Sequence, residues 1–150
     1  MAVLRERPYS NFNYLVDLGT GNADGLEAGF AEIILPEAWI DVIEYRNGND
    51  KENSVRKIPG RDHYGNITLK RGVIGSLDLY SWWSQVRNGD TKSFRTVTIQ
   101  LQNEDHTEVV MTWKLMRAWP VRYKFSELHA KGHETLIESL ELAFERLEME

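Results

Sequence analysis

Apolar and polar positions alternate along most of the chain, and that alternation predicts strands. In NFNYLVDL, Phe12, Tyr14, Val16 and Leu18 fall on one face, while Asn11, Asn13 and Asp17 fall on the other. AGFAEIIL, from Ala28 to Leu35, reads as a second strand closed by Pro36. AWIDVIEYRNGN is a third, ending in the turn residues Asn47, Gly48 and Asn49. From Asn47 to Pro59 the chain is polar and is expected to form a long exposed loop, a kind of segment that is usually functional or disordered in a small domain. NITLKRG is the next strand. The period then changes. Leu79, Trp82, Trp83 and Val86 recur at helical spacing, with Ser76 placed to cap, Asp78 in the first turn and Gly89 to end the helix. SFRTVTIQLQNEDHTEVVMTWKLMRAWP reads as a hairpin: Thr96, Thr98, Gln100 and Gln102 form a polar face against Val97, Ile99 and Leu101. Its return strand puts Val109, Met111, Trp113, Leu115 and Trp119 on one side, with Asn103 to His106 as the turn and Pro120 as the end. The last segment fits two periods. Leu136, Ile137, Leu140, Phe144 and Leu147 make a helical stripe, while Leu136, Leu140, Leu142 and Phe144 also alternate; pattern alone favours helix.

Composition narrows the class. A chain of 150 residues with 41% apolar content is expected to be one domain, residues 1–150, and it carries no repeat or linker. No apolar run approaches the roughly 20 residues of a membrane-spanning helix, so no stable membrane insertion is expected. The opening MAVLRERPYSNF has no apolar core of the signal-peptide kind, which points to synthesis in the cytoplasm. There is no cysteine, so disulfides and thiolate chemistry are excluded. A net charge of −5 argues against a nucleic-acid binder. Five Trp, six Tyr and five Phe must either fill a β core or line a contact surface.

No set of residues assembles into a catalytic or metal site. RKIPGRDHYGNITLKRG, Arg56 to Gly72, holds five cations and three glycines, but not the spacing of a phosphate-binding loop. A tight turn at Pro59-Gly60 followed by a strand is the simpler reading. His129 and His133 are four apart, yet Gly132 between them disfavours a helix and no third ligand follows at a recognisable interval. Glu138, Glu141, Glu145 and Glu148 read as a solvated face, and Glu104-Asp105 as a turn. Trp82, Trp83, Trp113 and Trp119 could form a sugar-binding platform, although their spacing is that of core residues. Neither enzyme activity nor a cofactor is expected.

Order and spacing carry a more specific signal. PGRDHYGNITLKRG, then LDLYSWW, then WKLMRAWPVRYKFSEL and IESLEL, with NYLVDL and EYRNG upstream, resemble the pattern of the phage tail tube protein family from about Phe12 to Leu147. That family supplies the inner tube of contractile phage tails and of extracellular contractile injection systems. The stretch from Gly21 to Ile40 is longer and more polar than the pattern implies. The resemblance implies a mainly β (α+β) fold of two packed antiparallel sheets, a barrel-like sandwich with one short helix and a long exposed loop. It also implies that the C-terminal segment is strand, not helix. Six subunits would close into a ring whose inner sheets join as a continuous barrel, and rings would stack into a hollow tube that conducts protein or DNA. Partners would be further copies, the sheath, the baseplate and tube initiator, and the tape-measure and cap proteins. The product would be a phage tail or an extracellular phage-like particle. On this reading Asp50, Lys51, Glu52, Arg56, Lys57 and Arg61 are expected at contacts between subunits, where mixed charges set register. Thr96, Thr98, Gln100 and Gln102 are expected to face the lumen, since small neutral side chains give a payload no anchor. The alternatives are a baseplate tube initiator of the same fold and a monomeric carbohydrate-binding β-sandwich.

Overall fold

The computed structural model describes every residue except 24, 26 and 27. Among the described residues nine strands and one α-helix follow in the order β1 (Tyr14–Asp17), β2 (Glu32–Ile34), β3 (Ala38–Tyr45), β4 (Arg56–Tyr64), β5 (Ile67–Gly72), α1 (Asp78–Arg87), β6 (Arg95–Gln102), β7 (Val109–Phe125), β8 (Ile137–Ala143) and β9 (Arg146–Met149). All pairings are antiparallel. The C-terminal segment is strand, as the family resemblance implies and against its helical stripe. The strand expected at Ala28–Leu35 shortens to β2, and part of the polar stretch before it falls at 24, 26 and 27, outside the described residues. Phe12 is exposed and stands outside β1.

Pro120 does not end its strand. β7 runs through it for 17 residues, because two irregularities accommodate the bend that proline and packing require. Between Arg95↔Ala118 and Val97↔Leu115 β7 carries one extra residue, and Arg117 sits there at φ 53. A second shift lies at Pro120/Arg122, where a residue without an N–H sits without breaking a regular ladder. Arg117 is held on both sides, by Glu145 at 3.1 Å and by the Phe94 ring 5.1 Å from its guanidinium carbon. The bend folds one seven-stranded sheet into two layers. The first holds β1, β6, the N-terminal half of β7, and β9; the second holds the C-terminal half of β7, then β8, β5 and β2.

Between the layers lies the core. Val16, Val97, Ile99 and Leu115 from the first layer meet Ile67, Leu69, Leu140 and Leu142 from the second. Helix α1 covers one end with Leu79 and Trp82, and the Trp82 indole donates to the Ser93 carbonyl at 2.8 Å. The N-cap position falls on Leu77, without a side-chain cap, rather than on Ser76; the Ser76 hydroxyl, one residue earlier, accepts from the Asp78 N–H at 3.3 Å, and Gly89 at φ 85 follows the end of the helix.

One charged cluster is buried with these apolar groups. Arg71 on β5 donates through Nε to Glu138 Oε1 at 2.6 Å and through Nη1 to Asp78 Oδ2 at 3.1 Å, while Nη2 pairs with Asp78 Oδ1. The Tyr123 hydroxyl donates to the other Glu138 oxygen at 2.6 Å. Arg71 and Glu138 are only 1% and 2% exposed, so these charges are stable only as a set. Burial opposes the charge on Asp78, but the Arg71 guanidinium outweighs it and holds the carboxyl below its usual range. Burial and the bond to Glu138 push the Tyr123 phenol up.

The N-terminal segment is strapped over the β6–β7 turn. Arg5 grips Glu104 with two hydrogen bonds, at 2.6 and 2.9 Å, and the Val3 amide bonds the Val110 carbonyl at 2.9 Å. The Arg5 hydrogen bond draws the Glu104 carboxyl down to about 2.

Two outcomes are expected. Glu138→Ala removes the acceptor of the buried Arg71 Nε and of the Tyr123 hydroxyl while Asp78 still pairs the guanidinium, and lowers unfolding free energy by about 3 kcal/mol in urea titrations followed by tryptophan fluorescence, with Glu138→Gln losing less. Because the folded-state Glu104 value is depressed, the strap contributes fully above the ordinary carboxylate range and is lost as pH falls through about 2. Hydrogen exchange at the Val3 amide should therefore accelerate as pH drops from about 5 towards 2, relative to the intrinsic rate. Glu104→Gln should exchange fast at every pH.

Candidate assembly surfaces

Among the described residues strands β3 and β4 pair only with each other and form a two-stranded arm outside both layers. At the base, Tyr64 packs on Phe144 with ring centroids 5.4 Å apart, and the Gly65 N–H donates to the Glu37 carbonyl at 2.9 Å. Eight residues of extended chain reach roughly 27 Å from there. Neither face of the arm is covered. Ile40 and Val42 on one face are 58% and 63% exposed; Trp39 and Ile43 on the other are 45% and 50% exposed.

The arm is built to keep its shape. Trp39 stacks on His63 at 5.4 Å, and His63 Nε2 lies 2.6 Å from Asp41 Oδ2. Opposite Asp41 the register shifts, and Gly60 allows a close approach: a Cβ there would stand 3.1 Å from both the Asp41 Cβ and its carbonyl oxygen, tighter than ordinary contact. At the tip Arg46 donates to the carbonyls of Asp50 and Glu52, both at 3.0 Å, and the Asn47 N–H donates to the Asp50 carboxylate at 3.0 Å.

This corrects two sequence expectations. Pro59-Gly60 is not a tight turn but the bulged middle of β4, and the turn before β5 falls at Gly65-Asn66. The loop ends before Arg56 rather than at Pro59, because residues 56–58 pair with Tyr45, Glu44 and Ile43. All six residues expected at subunit contacts lie on this one arm: Asp50, Lys51 and Glu52 at the tip, Arg56, Lys57 and Arg61 on β4. From Arg46 to Arg61 five cations accompany two carboxylates, on a chain of net charge −5.

Thr96, Thr98, Gln100 and Gln102 do share one face of β6, the face turned away from the core, because Val97 and Ile99 are buried. Across from them stand Asp17, Thr112 and Lys114. The sequence reading missed a second polar face, on the far side of the other layer. There two cross-strand rows run Lys124–Ser139–Lys70–Glu32 and Arg122–Glu141–Thr68–Ile34. Within them Lys70 Nζ is 3.7 Å from Glu32, and Arg122 Nε is 3.9 Å from Glu141.

The aromatic platform does not form: Trp82 is fully buried, Trp113 packs against the core, and Trp119 stacks on Phe94. Among the described residues no group of three His, Asp or Glu side chains could hold a metal, and His129 and His133 lie in the β7–β8 connection. No helix is long and apolar enough to cross a membrane.

This fold recurs in solved structures. One chain of an anti-feeding prophage baseplate is 25% identical with TM-score 0.81, covering 97% of each chain. A chain from the sheath–tube complex of an extracellular contractile injection system, in its extended state, is 26% identical with TM-score 0.83, covering 97% of this chain and 93% of that one. Hcp1 from Flavobacterium johnsoniae shares the fold alone, at 14% identity and TM-score 0.54 over 91% and 93% of the two chains. No curated protein matches the sequence. The family model described as T4-like virus tail tube protein gp19 matches residues 10–148, nearly the whole chain. The chain therefore belongs to that family, the structural tail tube proteins of phage tails and contractile injection systems.

Proposed function

We propose that this protein is the repeating subunit of a hollow inner tube, assembled from stacked six-membered rings that conduct a protein or DNA payload after sheath contraction. It acts as a mechanical part, not a catalyst, within a single domain spanning residues 1–150. The tube starts on a baseplate and initiator, runs inside a sheath, surrounds a tape-measure protein and ends at a cap. Its subunits are made in the cytoplasm and join a phage tail or an extracellular injection particle.

The arm carries this reading. An isolated two-stranded hairpin is marginally stable in water, and this one exposes apolar side chains on both faces. A surface with one bare face fits a single partner; two bare faces fit a slot between two. Further copies supply such a slot, one from the same ring and one from the next, and a head-to-tail contact with this geometry either closes a ring or extends a filament. Mixed charge at the tip, from Asp50, Lys51, Glu52, Arg56, Lys57 and Arg61, then selects the register on an otherwise acidic neighbour.

Negative-stain microscopy of the purified protein over a concentration series should show rings and tubes of uniform diameter. Replacing one apolar residue on each face, Val42→Asp with Ile43→Asp, should abolish them. The melting temperature of the dispersed protein should stay within about 2 °C of the parent, since Val42 and Ile43 are exposed and lie outside the core. A parent protein that remains monomeric at every concentration, with or without a baseplate template, would sink the proposal.

A further inference from the structure

The chain holds two Asn-Gly pairs, Asn47-Gly48 and Asn88-Gly89, and the fold treats them differently. In such a pair the glycine nitrogen can attack the asparagine side-chain carbonyl carbon, because no Cβ on the second residue blocks the approach. The attack needs that nitrogen free of hydrogen bonds and a backbone able to turn.

Asn88-Gly89 closes helix α1. The Asn88 N–H donates to the Ser84 carbonyl at 3.0 Å, the Gly89 N–H to that of Val86 at 3.0 Å, and the Asp90 N–H to that of Gln85 at 3.1 Å. Attack by the Gly89 nitrogen has to break this helix end first. The pair is locked.

Asn47-Gly48 sits at the arm tip without those restraints. The Asp50 N–H closes the turn on the Asn47 carbonyl at 3.1 Å, while the Gly48 N–H has no hydrogen-bond partner among the described residues. Gly48 is exposed, does not take a positive φ, and a Cβ built on it would meet nothing within 4 Å. The electrophile is prepared as well. The Tyr45 hydroxyl donates to Asn47 Oδ1, the oxygen on which negative charge gathers when the side-chain carbon is attacked.

We propose that Asn47-Gly48 is a site of spontaneous deamidation and backbone isomerisation in the free subunit. The Gly48 nitrogen bonds to Asn47 Cγ and gives up its proton. The bond from Cγ to the amide nitrogen breaks, and that nitrogen leaves with the proton as ammonia. Water then opens the cyclic imide at either carbonyl, giving aspartate, or isoaspartate with the main chain running through the former side chain. No other reactant enters.

The consequence for assembly rests on the arm reading above. Either product adds a carboxylate to a tip where, from Arg46 to Arg61, five cations accompany two carboxylates and select register. Isoaspartate also turns the Asn47 carbonyl that closes the turn into a side-chain carboxylate. That displaces the segment Arg46 clamps through the Asp50 and Glu52 carbonyls, both at 3.0 Å. A subunit left unassembled thus loses its fitting tip while its core stays intact. Docking holds the tip and keeps the Gly48 nitrogen from its target, so tubes preserve Asn47. The site is a clock on free subunits.

The test follows dispersed protein held at mildly alkaline pH, with peptide mass spectrometry separating asparagine, aspartate and isoaspartate at each position. Asn47 should convert at least about tenfold faster than Asn88, which must first give up the hydrogen bonds of the helix end. Gly48→Ala fits the open space at that position and should abolish conversion over the same period. Tyr45→Phe should slow it about three- to tenfold, since water replaces part of the lost donor. Tubes pelleted from a partly converted sample should hold at least about tenfold less product at position 47 than the supernatant, because the altered tip no longer fits. An unconverted Asn47, or conversion at Asn88 as fast, would overturn the site, and an unchanged rate in Tyr45→Phe would remove the phenol from it. Equal product in pellet and supernatant would overturn the effect on assembly and leave the tube reading intact. A parent chain that forms no tubes removes the tube reading itself, while the chemistry at Asn47 is still decided on the dispersed chain.

Discussion

The buried guanidinium of Arg71 is the constraint around which the other parts are arranged. A charge at 1% exposure is tolerable only where its donors are met, and Glu138 and Asp78 meet them from different elements. Glu138 stands on β8, Asp78 opens α1, and Tyr123 joins from the bent half of β7. One side chain thus ties together β5, β8, β7 and the helix. Among the described residues no buried side-chain polar atom lacks a hydrogen-bond partner, so the cluster is complete. A complete cluster of this kind contributes specificity more than raw stability: a slipped β5–β8 register would separate Arg71 from Glu138 and expose the error at once. Arg71 lies on the inner side of the same layer whose outer face carries Lys70, Arg122 and Lys124.

What the sequence disclosed, and what it hid, follow from the range of each interaction. The helix was legible because its stripe and terminator are local, Leu79 and Trp82 with Gly89, although the N-cap falls on Leu77 and not on Ser76. The β6–β7 hairpin was legible for the same reason, through alternation on both sides of a short turn. Pro120 misled because a proline reads as a stop, and the bulge that admits it is set by packing across two layers. The C-terminal segment misled because Leu140, Leu142 and Phe144 suit either period, and only pairing with β5 and β7 decides between them. Family resemblance resolved that case where periodicity did not.

The arm was half visible. Its charged tip was picked out as a contact, but Pro59-Gly60 was read as a turn, which hid β4 and with it the pairing partner of β3. One available signal went unused. Trp39, Ile40, Val42 and Ile43 place apolar groups at both parities of one strand, a pattern that cannot be buried by a single layer. The second polar face was not legible at all, since Glu32 and Lys124 stand ninety-two positions apart and join one row only through β5 and β8.

Core and assembly surfaces are therefore kept apart in this fold. The residues that make the sandwich stable, from Val16 to Leu142, are fully enclosed and share no side chain with the arm or with the outer rows. The features left unsatisfied are those a neighbouring copy can satisfy: two bare apolar faces on a ribbon. Exposed edges and apolar ribbons invite indiscriminate aggregation unless geometry restricts what fits. Here the bulge at Gly60 sets the shape of the arm. A subunit with a complete core and incomplete surfaces can be dispersed and reassembled without unfolding, and a tube built one ring at a time on a template depends on that separation.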